Sequence, residues 1–233
     1  MRCHASHFII LSLCVVSCAA WAQSTGTITV QVNVPGGSPS GLVVVASLSV
    51  PDTAAGFSGQ RAFASVTNAS GQASFTGLPF GVYSVCVEPR NGTLIEPCLW
   101  APPDTTHLTS QHASDSLNLT VSKGIPVDIR IDDPEGLLSA PNAGQGLAVG
   151  IVTPIGPVPL RPAAQDPAGV NYRIIAPPSV AAAIQIAAGA LQIFDNTGNS
   201  VNFFPSSTSA GPSFNLSPTP TGQFFRYRLH KSQ

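Results

Sequence analysis

The sequence predicts an all-β protein in which two antiparallel β-sandwich domains follow an N-terminal signal peptide. Short runs of alternating apolar and polar residues recur along the chain, and turns rich in Gly and Pro separate them. The 233 residues include 22 Pro and 21 Gly, a composition typical of frequent turns and short strands. Only 9% of the residues are charged and lysine is almost absent, so helices stabilised by i,i+4 ion pairs are not available.

Residues 1–22 have the pattern of a secretory signal peptide. Arg2 precedes an apolar run over residues 8–16, and the small residues around Trp21 place cleavage after Ala22. The run is shorter than the roughly 20 apolar residues that span a bilayer. A loose lipobox match makes lipid attachment at Cys18 the alternative. We therefore expect a secreted, periplasmic or cell-surface protein with no transmembrane segment in the mature chain.

The first half of the mature chain reads as a series of short strands. Gly26–Val34 alternates cleanly, as a half-buried first strand does, whereas Leu42–Val50 is more continuously apolar and suits a central strand covered on both sides. The polar segment Ala101–Ser116 has no sustained period and is expected to be an exposed connection. The expected strands are 26–34, 42–50, 61–67, 72–76, 82–87 and 117–121.

A set of spaced residues lies between the third and fifth of these strands, namely Thr67, Gly71, Phe75, Leu78, Pro79, Gly81 and Tyr83. This spacing resembles the signature of the carboxypeptidase regulatory-like domain, a transthyretin-like β-sandwich, and the resemblance covers about residues 26–121. Asn68 stands in place of the family's acidic residue, and Ala73 stands where an aromatic residue is usual. The resemblance implies a transthyretin-like first domain. Such domains only accompany a zinc peptidase domain, and the chain has no His-x-x-Glu pair.

A fresh alternation begins after Lys123-Gly124, so we expect domains at 24–123 and 124–233. The second half resembles no family. Residues 179–184 are ambiguous between a capped helical turn and a strand, and residues 205–222 are expected to form a long loop. The expected strands are 127–131, 147–152, 170–175, 191–194, 201–204 and 224–229.

Two groups of side chains could be imagined as metal ligands. His107 and His112 lie near Asp104 and Asp115, but a closed zinc ligand set is missing. An acidic cluster at residues 128–135 lacks the glycine-spaced loop of a calcium motif, so a solvated strand end is the simpler interpretation. Its members are Asp128, Asp132, Asp133 and Glu135. We therefore expect no metal, no cofactor and no catalytic residues.

The charge of the mature chain argues against nucleic-acid binding. Removing Arg2 leaves 9 of the 10 basic residues against 11 acidic residues, a formal charge of −2. That balance offers no basic field for nucleic acid or anionic lipid. His230, with Arg226, Arg228 and Lys231, is interpreted as part of an exposed basic face at a strand end.

Three classes of function remain, and a non-catalytic structural or interaction module is favoured because no positioned acid, base or metal group is visible. An enzyme is the least supported class. The alternative is a carbohydrate-binding module similar to starch-binding sandwiches, with Trp100 and Phe80 as an exposed platform, since Tyr83 shares a face with core residues. The expected partner is an extracellular protein or polysaccharide.

The cysteines predict one disulfide bond. Three of the five cysteines fall in the expected signal peptide, which leaves Cys86 and Cys98, and an exported pair is normally oxidised. If Cys86 and Cys98 lie on a hairpin, a two-residue loop puts the sulfurs on opposite faces, whereas a loop of three or five residues places them opposite each other. We expect the bridge to stabilise the first domain by about 2–3 kcal/mol.

Overall fold

The computed structural model describes residues 25–52, 59–89, 92–138, 147–188, 191–200, 213–215 and 222–231. Within these residues the regular structure is β-strand apart from one short 3-10 helix, so the predicted all-β class is confirmed. No helix in the described ranges is long and apolar enough to cross a membrane. The expected signal peptide, Cys18 and the expected strand 201–204 lie outside the described residues.

The first half forms two sheets that face each other across one apolar core. Alternation buries one side of each strand, as in Thr25–Asn33, where Ile28, Val30 and Val32 are fully buried. One sheet has the order β4-β1-β7 and the other β3-β2-β5-β6. The strands are β1 Thr25–Asn33, β2 Val43–Pro51, β3 Ala62–Val66, β4 Gln72–Pro79, β5 Gly81–Glu88, β6 Asp104–Leu108 and β7 Ser114–Thr120.

The second half forms another pair of sheets around a separate core. A five-stranded sheet has the order β11-β12-β8-β16-β14, and a four-stranded sheet has the order β10-β9-β13-β15. The strands are β8 Ile125–Asp132, β9 Leu147–Thr153, β10 Gly156–Pro159, β11 Pro162–Asp166, β12 Gly169–Ala176, β13 Ala181–Ala188, β14 Leu191–Asp195, β15 Ser213–Asn215 and β16 Gln223–Lys231.

The two halves repeat one strand topology. In the first, β1 pairs antiparallel with β4 and parallel with β7. In the second, β8 pairs antiparallel with β12 and parallel with β16. The other sheets also correspond, since β3-β2-β5-β6 and β10-β9-β13-β15 are antiparallel at every pairing. Strands β11 and β14 are additions at the edges of the second half. The antiparallel expectation therefore holds except for one parallel pair in each half.

Equivalent glycines mark the same position in both halves. Gly71 precedes β4 at φ +83°, and a Cβ there would lie 2.3 Å from the carbonyl oxygen of Val32 on the first strand. Gly169 opens β12 at φ +150°, and a Cβ there would lie 2.1 Å from the carbonyl oxygen of Ile131. A side chain at either position would clash with the neighbouring backbone, so glycine is required.

The residues of the family-like signature build the first core and its turns. The Asn68 side chain accepts hydrogen bonds from the backbone N–H groups of Ser70 (3.0 Å) and Gln72 (2.9 Å), which closes the turn before β4. Buried Thr67 accepts a hydrogen bond from the Leu42 N–H at 2.9 Å. These side chains therefore have structural roles in the first sandwich.

Several expectations about strand positions are wrong. Strand β6 and the start of β7 lie within residues 101–116, which were expected to form an exposed connection. Thr106 and Leu108 are buried in β6, but this alternation is too short to be detected in the sequence. Residues 181–188 form β13, which resolves the ambiguity of 179–184 in favour of a strand. Strand β2 is central, but Val50 is 58% exposed, so it is not covered on both sides throughout. Strands β10, β11 and β15 were not expected.

Candidate functional site at the junction of the two halves

A short segment of the first half, residues 94–100, lies at the junction with the second half. It follows β5 and is paired with the chain that leads into β8. The Ile95 N–H donates to the Ser122 carbonyl at 2.9 Å, and the Gly124 N–H donates to the Thr93 carbonyl at 3.0 Å. Leu94 forms an antiparallel bridge with Lys123. These bonds fix the junction segment beside the point where one half ends and the other begins.

Trp100 is the main side chain of the junction segment. It is only 7% exposed and packs, together with Ile95, into the core of the second half. The indole Nε1–H donates to the carbonyl oxygen of Ile175 at 3.1 Å. Trp100 therefore lacks the exposed face that a sugar platform requires, and its expected exposure is wrong.

The Cys86–Cys98 disulfide is present, as predicted, with Cα atoms 5.9 Å apart. Its expected setting in a hairpin is wrong, because Cys98 lies in a 3-10 helix, Pro97–Leu99, and not in a strand opposite Cys86. The argument about odd and even hairpin loops therefore does not apply. The bridge ties the junction segment, two residues before Trp100, to strand β5 of the first sandwich.

Phe80, the other predicted ligand-binding residue, lies at the corner between β4 and β5. It is partly buried and packs against the first core, whereas Trp100 packs into the second. A ligand-binding role for either residue stays a prediction. Tyr83 is a core residue, as expected: it is fully buried and its hydroxyl donates to the Pro79 carbonyl at 2.7 Å. Burial raises the pKa of Tyr83 to about 12.

A cleft of about 510 Å³ opens beside the junction segment and is lined by both halves. Its apolar lining includes Leu99 and Leu160, and its charged lining includes Glu96 and Arg161. Burial, together with the nearby charge of Glu88, raises the pKa of Glu96, and Arg161 only partly offsets this. The cleft thus places one half-buried carboxyl group at the boundary between the halves.

The two imagined metal sites do not converge in the structure. His107 Nε2 lies 2.8 Å from an Asp52 carboxylate oxygen, while His112 Nε2 lies 3.8 Å from Asp115. Across the ranges that the structure describes, no group of three or more His, Cys, Asp or Glu side chains could hold a metal ion. In the acidic cluster, Asp133 accepts backbone hydrogen bonds from Leu137 (2.8 Å) and Leu138 (2.7 Å).

Glu135 pairs with His230 at 2.7 Å, whereas Asp128 and Asp132 belong to an ion-pair ladder on the outer face of the five-stranded sheet. The ladder consists of the pairs Arg173–Asp128 at 2.6 Å, Arg130–Asp166 at 2.8 Å, Arg130–Asp132 at 3.2 Å and Arg226–Asp132 at 2.6 Å. Burial raises the pKa of Asp132, but hydrogen bonds and charges from Arg226 and Arg130 outweigh it, so the net pKa lies below its usual value.

Comparison with solved structures gives distant likenesses, at TM-scores below 0.5. No family model and no curated protein sequence matches the chain. The Bacillus anthracis TIE protein is 9% identical with a TM-score of 0.33, and the match covers 89% of this chain and 51% of that one. This chain therefore spans about half the length of the TIE protein.

Two pilins are also similar at this level. GBS52, the minor pilin of Streptococcus agalactiae, is 10% identical with a TM-score of 0.33, covering 90% of this chain and 98% of that one. A streptococcal ancillary pilin is 12% identical with a TM-score of 0.36, covering 90% and 63%. Likenesses this distant assign neither a family nor a function.

Proposed function

We propose that the chain is a secreted or cell-surface, non-catalytic structural and interaction module of two β-sandwich domains, residues 24–123 and 124–233. The observation that carries the proposal is the burial of Trp100, a residue of the first half, in the core of the second. Each of the four sheets draws its strands from one half, which supports the division into two domains. An interaction module with such a junction presents two sandwiches in a fixed relative orientation.

Two features make the junction stiff. The backbone connection is short, because β7 ends at Thr120 and β8 begins at Ile125. The disulfide holds Cys98, two residues before Trp100, against β5, and the Trp100 indole is hydrogen-bonded to Ile175 of the second half, so the segment is attached to both sandwiches. A domain pair with this construction resists bending and transmits force from one sandwich to the next.

The family assignment is proposed for the first domain alone. The seven signature positions support a carboxypeptidase regulatory-like, transthyretin-like domain because each has a structural part in the sandwich. Leu78 and Tyr83 are fully buried, for example, and Gly71 occupies a backbone conformation that other residues avoid. At Trp100, no observation favours the starch-binding-like alternative, because this residue is buried at the junction. We expect a protein partner at the surface.

Single-molecule force spectroscopy tests the two-domain structural role. Stretched from its ends, the mature chain is expected to unfold in two events. At about 3.6 Å per extended residue, each event is expected to lengthen the chain by roughly 350–400 Å. In the first domain, the residues enclosed by the disulfide reduce this length. The same measurement on Trp100→Ala tests the contribution of the buried indole. Trp100→Phe, which keeps most of the packing, is the matched control. A single event that releases the whole chain at once would contradict the division.

Mass spectrometry of the exported protein tests its processing and location. Cleavage after Ala22 gives a chain that begins at Gln23 and carries no lipid. A diacylated chain that begins at Cys18 would instead establish a membrane-anchored form.

A further inference from the structure

A second cleft lies on the outer face of the second sandwich, away from the junction. It has a volume of about 610 Å³ and opens between strand β16 and the turn that follows β14. This volume is within the range of about 300–1,000 Å³ that is typical of small-molecule sites. Its lining consists of Asp132, Phe194, Asp195, Asn196, Thr197, Gly198, Arg226, Tyr227, Arg228 and His230.

Three nitrogen-bearing side chains line one wall of this cleft. Arg226, Arg228 and His230 alternate along β16 on the face opposite buried Tyr227 and Leu229. Alternate residues of a strand lie about 6.6–7 Å apart, so the three side chains form a row along one surface. The sequence pattern indicated a basic face here, and the structure gives that face a concave shape.

The two outer members of the row are anchored by one nitrogen each. Arg226 Nε donates to an Asp132 carboxylate oxygen at 2.6 Å, and His230 Nδ1 lies 2.7 Å from a Glu135 carboxylate oxygen. The Phe194 ring meets the His230 ring edge-on, with centroids 5.0 Å apart. These contacts hold the Arg226 and His230 side chains in place before a ligand arrives, so ordering these two adds little to the entropy cost of binding.

Arg228, between them, has no such anchor. Among the described residues no carboxylate lies within ion-pair distance of its guanidinium, although Asp132 is its neighbour across the strand pair. The Asp195 carboxylate on the other wall is used within its own turn. It accepts hydrogen bonds from the Thr197 N–H (2.9 Å), the Thr197 hydroxyl (2.7 Å) and the Asn199 N–H (2.9 Å). Arg228 therefore lines the cleft with a guanidinium that makes no direct ion pair with a described residue.

We propose that this cleft binds a carboxylate-bearing, hydroxylated ligand of the uronic acid class, with Arg228 as the residue that holds the carboxylate. The planar guanidinium matches a carboxylate in a two-bond fork. A single negative charge suits the site better than a phosphate dianion, because Asp132 and Asp195 also line the cleft and would repel the additional charge.

The opposite wall suits the rest of such a ligand. Asn196 offers its side-chain amide to the hydroxyls of a sugar ring. The Thr197 hydroxyl and the N–H groups of Thr197 and Gly198 already donate within the turn and keep its shape. Phe194 adds an apolar edge at the rim. The cleft is far in sequence from the signature of the first half, and this proposal is independent of the structural role of the junction.

Titration of the oxidised mature chain by calorimetry and by NMR tests the proposal, with D-glucuronate, D-glucose and inorganic phosphate as probes. We expect saturable D-glucuronate binding in about the millimolar range that one charged contact supports, with shifts at β16 and the 195–198 turn. Arg228→Ala is expected to weaken this binding at least tenfold, and Arg228→Lys to weaken it less, because the charge stays while the fork is lost.

Arg61→Ala is the matched control, since it removes an exposed arginine of the first half and should leave the affinity unchanged. An unchanged thermal midpoint of Arg228→Ala excludes unfolding as the cause, and Arg228→Lys decides the case if Arg228→Ala is unstable. D-glucose binding as tight as that of D-glucuronate would overturn the role of the charge. Phosphate binding that is equally tight would overturn the carboxylate assignment, and an Arg228→Ala chain that binds normally would overturn the site.

Discussion

The two sandwiches share a strand order, but different side chains decorate their outer faces. On the first, the outer face of the sheet β4-β1-β7 carries short polar groups, as where Thr29 lies opposite Ser74 and Ser116. On the second, the same kind of surface carries the ion-pair ladder of Asp128, Arg130, Asp132 and their partners. The comparison indicates that the strand order depends on the alternation of buried residues and on the equivalent glycines, Gly71 and Gly169. The outer faces do not take part in this and carry different side chains.

The halves also differ in the interactions that stabilise them. The first contains the disulfide between Cys86 and Cys98, whereas the second receives Trp100 as a buried anchor. Covalent and apolar contacts thus meet at the junction, whereas the Arg–Asp ion pairs of the described residues lie on the outer face of the five-stranded sheet. Each of these three kinds of interaction can be removed by a separate substitution, so their contributions to the free energy of unfolding can be compared.

Replacing Trp100 with alanine should have the largest effect. Loss of a buried indole and the cavity it leaves cost about 3–5 kcal/mol in the free energy of unfolding. Because the indole packs into the second core, the loss should fall on the second half. Urea unfolding followed by circular dichroism measures it, with Trp100→Phe as the control that keeps most of the apolar volume. A change below about 1 kcal/mol would be incompatible with a buried anchor.

Removing the disulfide through Cys86→Ser and Cys98→Ser should cost less. A ring closed over a sequence separation of 12 residues is worth about 2–3 kcal/mol by the loop-entropy relation. The loss should appear in the first sandwich and in the junction segment, and hydrogen exchange locates it. If the strands of the ion-pair ladder lost as much protection as the first sandwich, the two halves would not be stabilised independently of each other.

Acid should weaken the second half more than the first. The pKa of Asp132 is lowered, as is that of Asp166 through its hydrogen bond with Arg130. A lowered carboxyl pKa adds stability above the ordinary pKa, near 4, and that stability is lost as pH falls through the lower folded value. Asp115 in the first half contributes one such group. Hydrogen exchange at about pH 7 and pH 3, corrected for intrinsic rates, compares the two halves.

In the acid experiment, strands β8, β12 and β16 are expected to lose more protection than β1, β2 and β5. Arg130→Met should reduce this difference, since it removes the arginine partner of Asp166 and one of the two arginine partners of Asp132. A larger acid loss in the first half would contradict the assignment of ionic stabilisation to the second.

Glu96→Gln should have the smallest effect and the opposite sign. Burial and Glu88 raise the pKa of Glu96, so its ionised form destabilises the folded junction as pH rises through that raised pKa. The glutamine variant should therefore unfold at a slightly higher temperature at pH 7 and match the parent near pH 4, where both side chains are neutral. Asp104→Asn is the control, because Asp104 is an exposed carboxyl of the first half that does not contribute to the pKa shift of Glu96. A lower midpoint at pH 7 would show that ionised Glu96 is stabilising.

The first sandwich was largely predictable because its signals are local. Alternation in 26–34 and 61–67 gave strands that differ from the observed ones by about one residue at each end. The turn at Asn68 and Gly71 was also legible, since both residues have intrinsic backbone preferences. Tyr83 was correctly placed in the core because its alternating neighbours are apolar.

The junction could not be predicted from local patterns. Trp100 is covered by strand β12, and the carbonyl group that it contacts belongs to Ile175, 75 residues further along the chain. Cys98 was assigned to a hairpin because proximity in sequence suggested one, but Pro97 begins a 3-10 helix instead. The ladder was missed for a related reason: Asp128 and Arg173 become neighbours only when β8 pairs with β12.

The central claim is that the junction holds the two sandwiches as one rigid unit, and ¹⁵N relaxation of the oxidised mature chain tests it most directly. The measurement compares the rotational correlation time and diffusion axes obtained from the amides of β1–β7 with those obtained from β8–β16. We predict one common diffusion tensor for the intact chain and two separate ones for Trp100→Ala. Two independent tensors in the intact chain would contradict the account.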